Sequence, residues 1–276
     1  YQGMDQVGNH SSIKNTFIGY DAGGGIYAGD VTGNVGIGYQ SLHGPMNGAN
    51  YNVALGYVAL SVVTTGDTNI GIGVSAGTDI TTGSDNTIVG SSAGVLMTTT
   101  SNTVLIGKSA GAAINSADAN GTVAIGYLAA SVLTSGIGST AIGYEALKTA
   151  TENDYNTAVG NRALYSISGS SGTEGEGNTA VGRYAGYSTT TGNSNVFIGN
   201  AAGYGNTTGI YNNFIGAGAG QNSTTANQST YIGWYAGYYQ TVGGNNVAIG
   251  HQTLYGASGK ANSAASNVAI GYQAAM

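Results

Sequence analysis

The chain has 276 residues, of which 50 are glycine, 41% are hydrophobic and only 7% are charged, with a net charge of −6. The glycines do not recur at every third position, which excludes collagen, and this apolar, weakly charged composition is opposite to that of disordered chains. Only six residues are lysine or arginine, and they are scattered along the sequence, so a nucleic-acid partner is not expected.

One short phrase returns fifteen times: Asn, two variable residues, an aliphatic residue, Gly, two variable residues and Ala. Nine of the fourteen intervals between the glycines are 17 residues, and the others are 18, 19, 19, 21 and 22. A repeat of this length leaves room for two short strands and two turns, so each copy predicts one coil of a β-solenoid. We number positions in a copy from its glycine, which is position 0. The anchoring glycines are Gly19, Gly38, Gly56, Gly73, Gly90, Gly107, Gly126, Gly143, Gly160, Gly182, Gly199, Gly216, Gly233, Gly250 and Gly271.

Positions −4 to −1 predict a polar entry followed by a strand. Position −4 is Asn in eleven copies, and amides repeated in every coil can form a hydrogen-bonded ladder. Position −1 is aliphatic in all fifteen copies and predicts the buried core column. We expect the core to include Ile18, Ile72, Ile142, Val159, Ile198, Ile215 and Ile249.

Position −2 points to the opposite face of the same strand and is also apolar in almost every copy. All three phenylalanines of the chain, Phe17, Phe197 and Phe214, stand there. A strand with two apolar faces needs a cover on both, so we expect this second face to pack laterally against other chains in a homotrimer. The alternative is that a loop or a flanking segment covers it.

Tyrosines recur at positions +1 and +5, with Trp234 at one of the +1 positions. Their rings with polar tips suit the recognition of a cell-surface glycan or protein, and they equally suit stacking between coils that stabilises the solenoid. The candidate recognition residues are Tyr127, Tyr144, Tyr187, Tyr204, Trp234 and Tyr238.

No constellation in the sequence indicates an enzyme, a cofactor or a metal. The chain has no cysteine, and its three histidines, His10, His43 and His251, are far apart in sequence. No apolar run is long enough for a membrane helix. We therefore expect residues 1–276 to form a single all-β solenoid domain without cofactors, and to be a segment of a longer fibre.

The copies NTAVGNRAL, STAIGYEAL and NVAIGYQAA resemble the head repeats of trimeric autotransporter adhesins (the YadA-like β-roll), and the string TTGxxN…IGxxAG resembles repeats of bacteriophage tail fibres. This resemblance implies a left-handed parallel β-roll, three chains side by side, and a role in attachment. The expected location is extracellular, on a cell surface or virion. Two alternatives stay open: a self-assembling extracellular filament, and an ice-binding solenoid that uses its Thr columns.

Overall fold

Each repeat in the described part of the chain contributes one short parallel strand, and turns connect the strands. A computed structural model describes residues 14–25, 27–169, 174–257, 263 and 265–276. In these ranges it has fifteen three-residue strands and one 3₁₀ turn at Ala117–Ala119. The strands are β1 (Thr16–Ile18), β2 (Val35–Ile37), β3 (Val53–Leu55), β4 (Ile70–Ile72), β5 (Thr87–Val89), β6 (Val104–Ile106), β7 (Val123–Ile125), β8 (Thr140–Ile142), β9 (Thr157–Val159), β10 (Thr179–Val181), β11 (Val196–Ile198), β12 (Asn213–Ile215), β13 (Thr230–Ile232), β14 (Val247–Ile249) and β15 (Val268–Ile270). Each strand occupies positions −3 to −1 of its repeat.

The chain divides into two compact units, unit 1 (Tyr1–Gly138) and unit 2 (Ser139–Met276). Strands β1 to β7 of unit 1 pair in chain order and in parallel. Strands β8 to β15 of unit 2 do the same. The register places equal repeat positions side by side, so Ala180 pairs with Phe197 and Phe197 pairs with Phe214. The predicted fold class, an all-β parallel β-solenoid, is confirmed.

The interior of both units is lined by position −2, by the alanines at position +3 and by the residue at position +7. From Gly36 to Ala269 every residue at position −2 is buried, and Phe17 in the first described coil is half-buried. Position +7 supplies fully buried aliphatics such as Ile80 and Leu133 in unit 1. In unit 2 this column turns polar, with Thr189, Asn206, Ser223 and Gln240 all fully buried; no described residue bonds the side-chain amide of Asn206.

Positions −2 and +4 exchange side-chain volume within a coil. The six coils with Phe, Ile, Leu or Tyr at position −2 all have Gly at position +4, and the five coils with Leu at position +4 have only Gly or Ala at position −2. The reason is contact: a Cβ built on Gly237 would overlap the ring of Tyr231, and one on Gly111 would lie 2.8 Å from Leu105 Cδ2. Four coils are small at both positions: Gly71 with Gly77, Ala124 with Ala130, Ala180 with Gly186, and Ala269 with Ala275. In two of them side chains of the neighbouring coils fill the space: a Cβ on Gly77 would lie 2.9 Å from Leu60 and 3.0 Å from Ile88, and one on Gly186 would lie 2.6 Å from Phe197 and 2.8 Å from Leu164.

The asparagines at position −4 form the predicted ladder inside the units. Asn69 donates from its backbone N and from Nδ2 to Oδ1 of Asn52, at 2.9 and 3.0 Å. The same Nδ2 donates to the carbonyl of Gly83, 14 residues further along the chain, at 2.9 Å. Because Asn69 Oδ1 then accepts from Asn86, each amide joins a strand entry to a turn and to the next coil.

The anchor glycines are required by the close approach of successive coils. Gly56 has a φ of +146°, and a Cβ on it would lie 2.7 Å from the carbonyl carbon of Gly73, the next anchor. A side chain would therefore be strained by its own backbone and would also collide with the next coil.

The predicted assignment of the two strand faces is wrong. The side chains of Phe197 and Phe214 are fully buried within the chain and pack against each other at 5.6 Å between ring centroids, so they do not pack laterally; the ring of Phe17 also turns inward, where a Cβ on Gly23 would meet it. The residues expected to form the core, Ile18, Ile72, Ile142, Val159, Ile198, Ile215 and Ile249, point outward and are half-buried or exposed. Both faces are apolar, so alternation alone could not decide which one the coil encloses.

Candidate functional site

The outward side of the strands is an apolar sheet face on each unit. We call the residues at positions −3 and −1 the outer face. The side chains at position −1 of unit 2 remain exposed by 36% at Ile249 and 39% at Val181 although neighbours flank them. Position −3 is Val or Thr in most copies, and neither position carries a charge in any copy. No described segment of the chain lies over this face, so in one chain it is in contact with water.

Aromatic ladders run beside the outer face at positions +1 and +5. In unit 1, Tyr39 stacks between Tyr20 and Tyr57, with ring centroids 5.4 and 4.9 Å apart. In unit 2, the ring of His251 lies between those of Trp234 and Tyr272, tilted by 31° from the first at 4.6 Å and stacked on the second at 5.1 Å. The predicted stacking between coils is therefore confirmed, while recognition by these rings stays a prediction.

The other candidate recognition residues lie in the same columns. Tyr127 of unit 1 and Tyr144 of unit 2 stand at position +1, exposed by 42% and 44%. Tyr187 lies at position +5 between Tyr165 and Tyr204, at 5.1 Å from each. The ring of Tyr238 stacks on Tyr255 at 5.2 Å in the same column.

Three of the six cations gather in unit 2, in consecutive coils. Lys148, Arg162 and Arg183 stand at positions +5, +2 and +1 after Gly143, Gly160 and Gly182, which the register of parallel coils brings side by side. Arg162 lies 5.7 Å from the ring centroid of Tyr144 and 5.6 Å from that of Tyr165. These cations, with Glu145 and the tyrosines 144, 165, 184, 187 and 204, form what we call the cation–tyrosine cluster.

Glu145 fixes two of these cations from below. Its carboxylate, with a side chain only 6% exposed, accepts from Lys148 Nζ and from Arg162 Nε, both at 2.7 Å. Burial raises the pKa of Glu145, but hydrogen bonds and charge from Lys148 and Arg162 outweigh it, so its pKa lies below the usual value. The carboxylate is thus ionised at neutral pH, and its charge offsets only one of the three positive charges.

The two histidines in the described ranges contact different groups. His43 Nδ1 lies 3.3 Å from Asp21 Oδ2, and His251 belongs to the aromatic ladder described above. His10 lies outside the described residues. Within those residues no three His, Asp or Glu side chains converge as metal ligands, and no helix has the length and hydropathy needed to cross a membrane.

No protein-family model matches this chain, and no curated protein matches it significantly. The outer face and the cation–tyrosine cluster are therefore the features from which a function can be inferred. An apolar outward face was predicted from the sequence, but it was assigned to position −2, whereas position −1, predicted as the core, lies on the outer face. The cation–tyrosine cluster was missed, because its charges are 14 and 21 residues apart in sequence and meet only when the repeats are aligned on their glycines.

Proposed function

We propose that this chain is a structural repeat segment of a homotrimeric surface fibre that mediates attachment to a host or cell surface. The observation that supports the proposal is the outer face, which is apolar along the described strands of both units and is left in water by a single chain. Exposed apolar patches of this extent mark interaction surfaces in soluble proteins.

Burial of the outer face would stabilise an assembly appreciably. Full burial of an aliphatic side chain contributes about 1.5–3 kcal/mol, so covering the remaining third of one Ile contributes about 0.5–1 kcal/mol. Six position −1 residues of unit 2 share this exposure of 36–39%: Ile142, Val181, Ile198, Ile215, Ile232 and Ile249. Their repeated, uncharged columns are complementary to a copy of themselves. A closed three-fold arrangement would cover one such face on every chain.

The resemblance of the repeats to adhesin heads and tail fibres supports three chains and the attachment role. The filament alternative uses the same face in an open-ended assembly. The ice-binding alternative loses support from the threonine turns, because Thr64 and Thr81 donate their hydroxyls to carbonyls of the next coil at 3.0 and 3.1 Å.

Mass measurement by light scattering at several protein concentrations tests the proposal. The test variant is Ile198→Lys combined with Ile232→Lys, two exposed outer-face residues in β11 and β13. The coil between them keeps the two new charges from lying directly opposite each other. The matched control is Val74→Lys with Val242→Lys, which are aliphatics outside the strands with larger exposed fractions, 51% and 45% against 38% and 36%.

We expect a concentration-independent trimer for the unchanged chain and for the control, and a folded monomer for the outer-face variant. A wild-type chain that stays monomeric at all concentrations contradicts the proposal. A mass that rises without limit favours the filament. Binding of the fluorescently labelled trimer to a panel of bacterial and animal cells then tests attachment, and absence of binding to all of them contradicts that part.

A further inference from the structure

The cation–tyrosine cluster has the features of a binding site for an anionic group. The protein carries a net charge of −6, yet half of its six cations gather in three consecutive coils of unit 2 with one carboxylate among them. Glu145 offsets one of these three positive charges, so the cluster keeps a surplus of positive charge on an acidic protein.

The two arginines keep donors that the described part of the chain does not use. Arg162 donates its Nε to Glu145, and no described residue accepts from its terminal nitrogens. Arg183 is exposed, and no described carboxylate lies within ion-pair distance of it. Since a guanidinium presents parallel N–H donors, both side chains can bind a carboxylate or a sulfate in bidentate geometry.

Tyr184 orients Arg183. The Arg183 guanidinium lies over the Tyr184 ring, 4.4 Å from its centroid. The same ring meets Tyr187 and Tyr204 edge-on, at 5.5 and 6.1 Å. Arg183 is therefore held above a rigid aromatic group, which lowers the entropy lost when it binds a ligand. The phenol hydroxyls around it can bond to sugar hydroxyls.

We propose that the cation–tyrosine cluster binds an anionic saccharide, with Arg183 and Arg162 holding a carboxylate or sulfate and the tyrosines bonding to the adjoining sugar. The inference deepens the proposed attachment function and rests on it. The site itself is built by one chain, because all nine residues belong to unit 2. Carboxylated and sulfated sugars share the chemistry that the arginines recognise, and the experiment separates them.

The test is a titration of the whole chain with three probes, in which calorimetry measures the binding of each probe. The probes are 3′-sialyllactose for the carboxylate, a heparin decasaccharide for the sulfate, and lactose as the neutral sugar. The test variant is Arg183→Gln, which leaves the Glu145 contacts intact, and Arg183→Lys keeps the charge without the fork. The matched control is Lys108→Gln, an exposed cation at the same position +1 in unit 1.

We expect one or both anionic probes to bind at least tenfold more tightly than lactose, with an affinity that falls as salt is added. Arg183→Gln should weaken binding at least fivefold, Arg183→Lys should give an intermediate value, and Lys108→Gln should change nothing. Circular dichroism confirms that each variant is folded. Equal affinity for lactose, no binding of either anion, or an equal loss in Arg183→Gln and Lys108→Gln overturns the site.

The mass of each sample separates this result from that of the fibre proposal. A trimer that binds none of the probes contradicts the saccharide site and leaves the fibre proposal unaffected. A monomer that binds in an Arg183-dependent manner keeps the site and contradicts the homotrimer.

Discussion

The interior pair Phe197 and Gly203 tests the volume exchange between positions −2 and +4. Phe197 is fully buried, and removal of a buried Phe ring costs about 3–5 kcal/mol of unfolding free energy. Gly203 has a φ of +61°, and a side chain there would overlap the Phe197 ring. We therefore expect Gly203→Leu to cost about 2–5 kcal/mol through overlap and backbone strain.

The double variant Phe197→Ala with Gly203→Leu should recover most of this loss. The new leucine enters the space that the ring leaves, as Leu164 does opposite Ala158 two coils earlier, at a φ of 47°. We expect the double variant to lose only about 1–3 kcal/mol, so the two changes are coupled by about 2 kcal/mol or more.

Urea unfolding followed by far-UV circular dichroism measures the cycle, with all four proteins at one concentration because association shifts apparent stability. The control cycle pairs Phe197→Ala with Gly111→Leu, since Gly111 packs against Leu105 in unit 1. We expect the control to be additive to within about 0.5 kcal/mol. If the Phe197–Gly203 cycle is additive to the same degree, the volume exchange is refuted.

Three further predictions concern buried polar groups. Asn195→Leu removes an amide that bonds Asn178, Gly209 and Asn212, so we expect thermal melting to show a loss of about 2 kcal/mol or more of unfolding free energy. Asn195→Ser should cost less, because Ser139 already occupies this position in another coil. Equal losses in the two variants would contradict the ladder. Asn206→Leu should raise stability by about 1–3 kcal/mol in urea, because no described residue bonds the buried amide; a loss would show that it is satisfied. Folding lowers the pKa of Glu145, so the stabilisation from its carboxylate is present at neutral pH and is lost as the pH falls through the folded-state pKa. Glu145→Gln should therefore lower the melting temperature at pH 7 and have a smaller effect near pH 3. An equal effect at both pH values would contradict the ion pairs.

The period of the repeat was sufficient to predict the fold and the local position of each strand. Fifteen glycines in register predicted a strand before each of them, and the structure has these fifteen strands. The second strand that the repeat length predicted in each coil is absent from the described residues. The Asn ladder was also predictable, because an amide repeated at a strand entry in a parallel stack has its neighbours as natural partners.

The orientation of the strands was not predictable from the hydrophobic pattern. A uniform aliphatic column at position −1 suggested a core, but the interior column is the varied one, with Gly36, Ala54, Ile88 and Phe197 all at position −2. Interior residues vary because a large side chain at position −2 leaves room only for glycine at position +4, and a leucine at position +4 leaves room only for Gly or Ala at position −2. The correlation between the side-chain volumes at positions −2 and +4, six residues apart, is visible in the sequence, and it is the signal that would have assigned the faces correctly.

The candidate site required the three-dimensional register. Tyrosine columns are visible in the sequence because they repeat, whereas Arg162 and Arg183 each occur once at their position. The pairing of β9 with β10 brings their coils next to each other. The contact between buried Glu145 and Arg162 depends on the folded structure and has no counterpart in the repeat pattern.

The matched pair at positions −2 and +4 has a consequence for how such a gene can lengthen. Because both members lie within seven consecutive residues, a tandem duplication of one period copies a coil together with its own internal fit. The coil with Gly71 and Gly77 is one exception, since Leu60 and Ile88 of its neighbours fill it, and the coil with Ala180 and Gly186 is another, filled by Leu164 and Phe197. Inserted between two coils of its own kind, either would leave an unfilled cavity, so growth by copying should favour the self-contained coils.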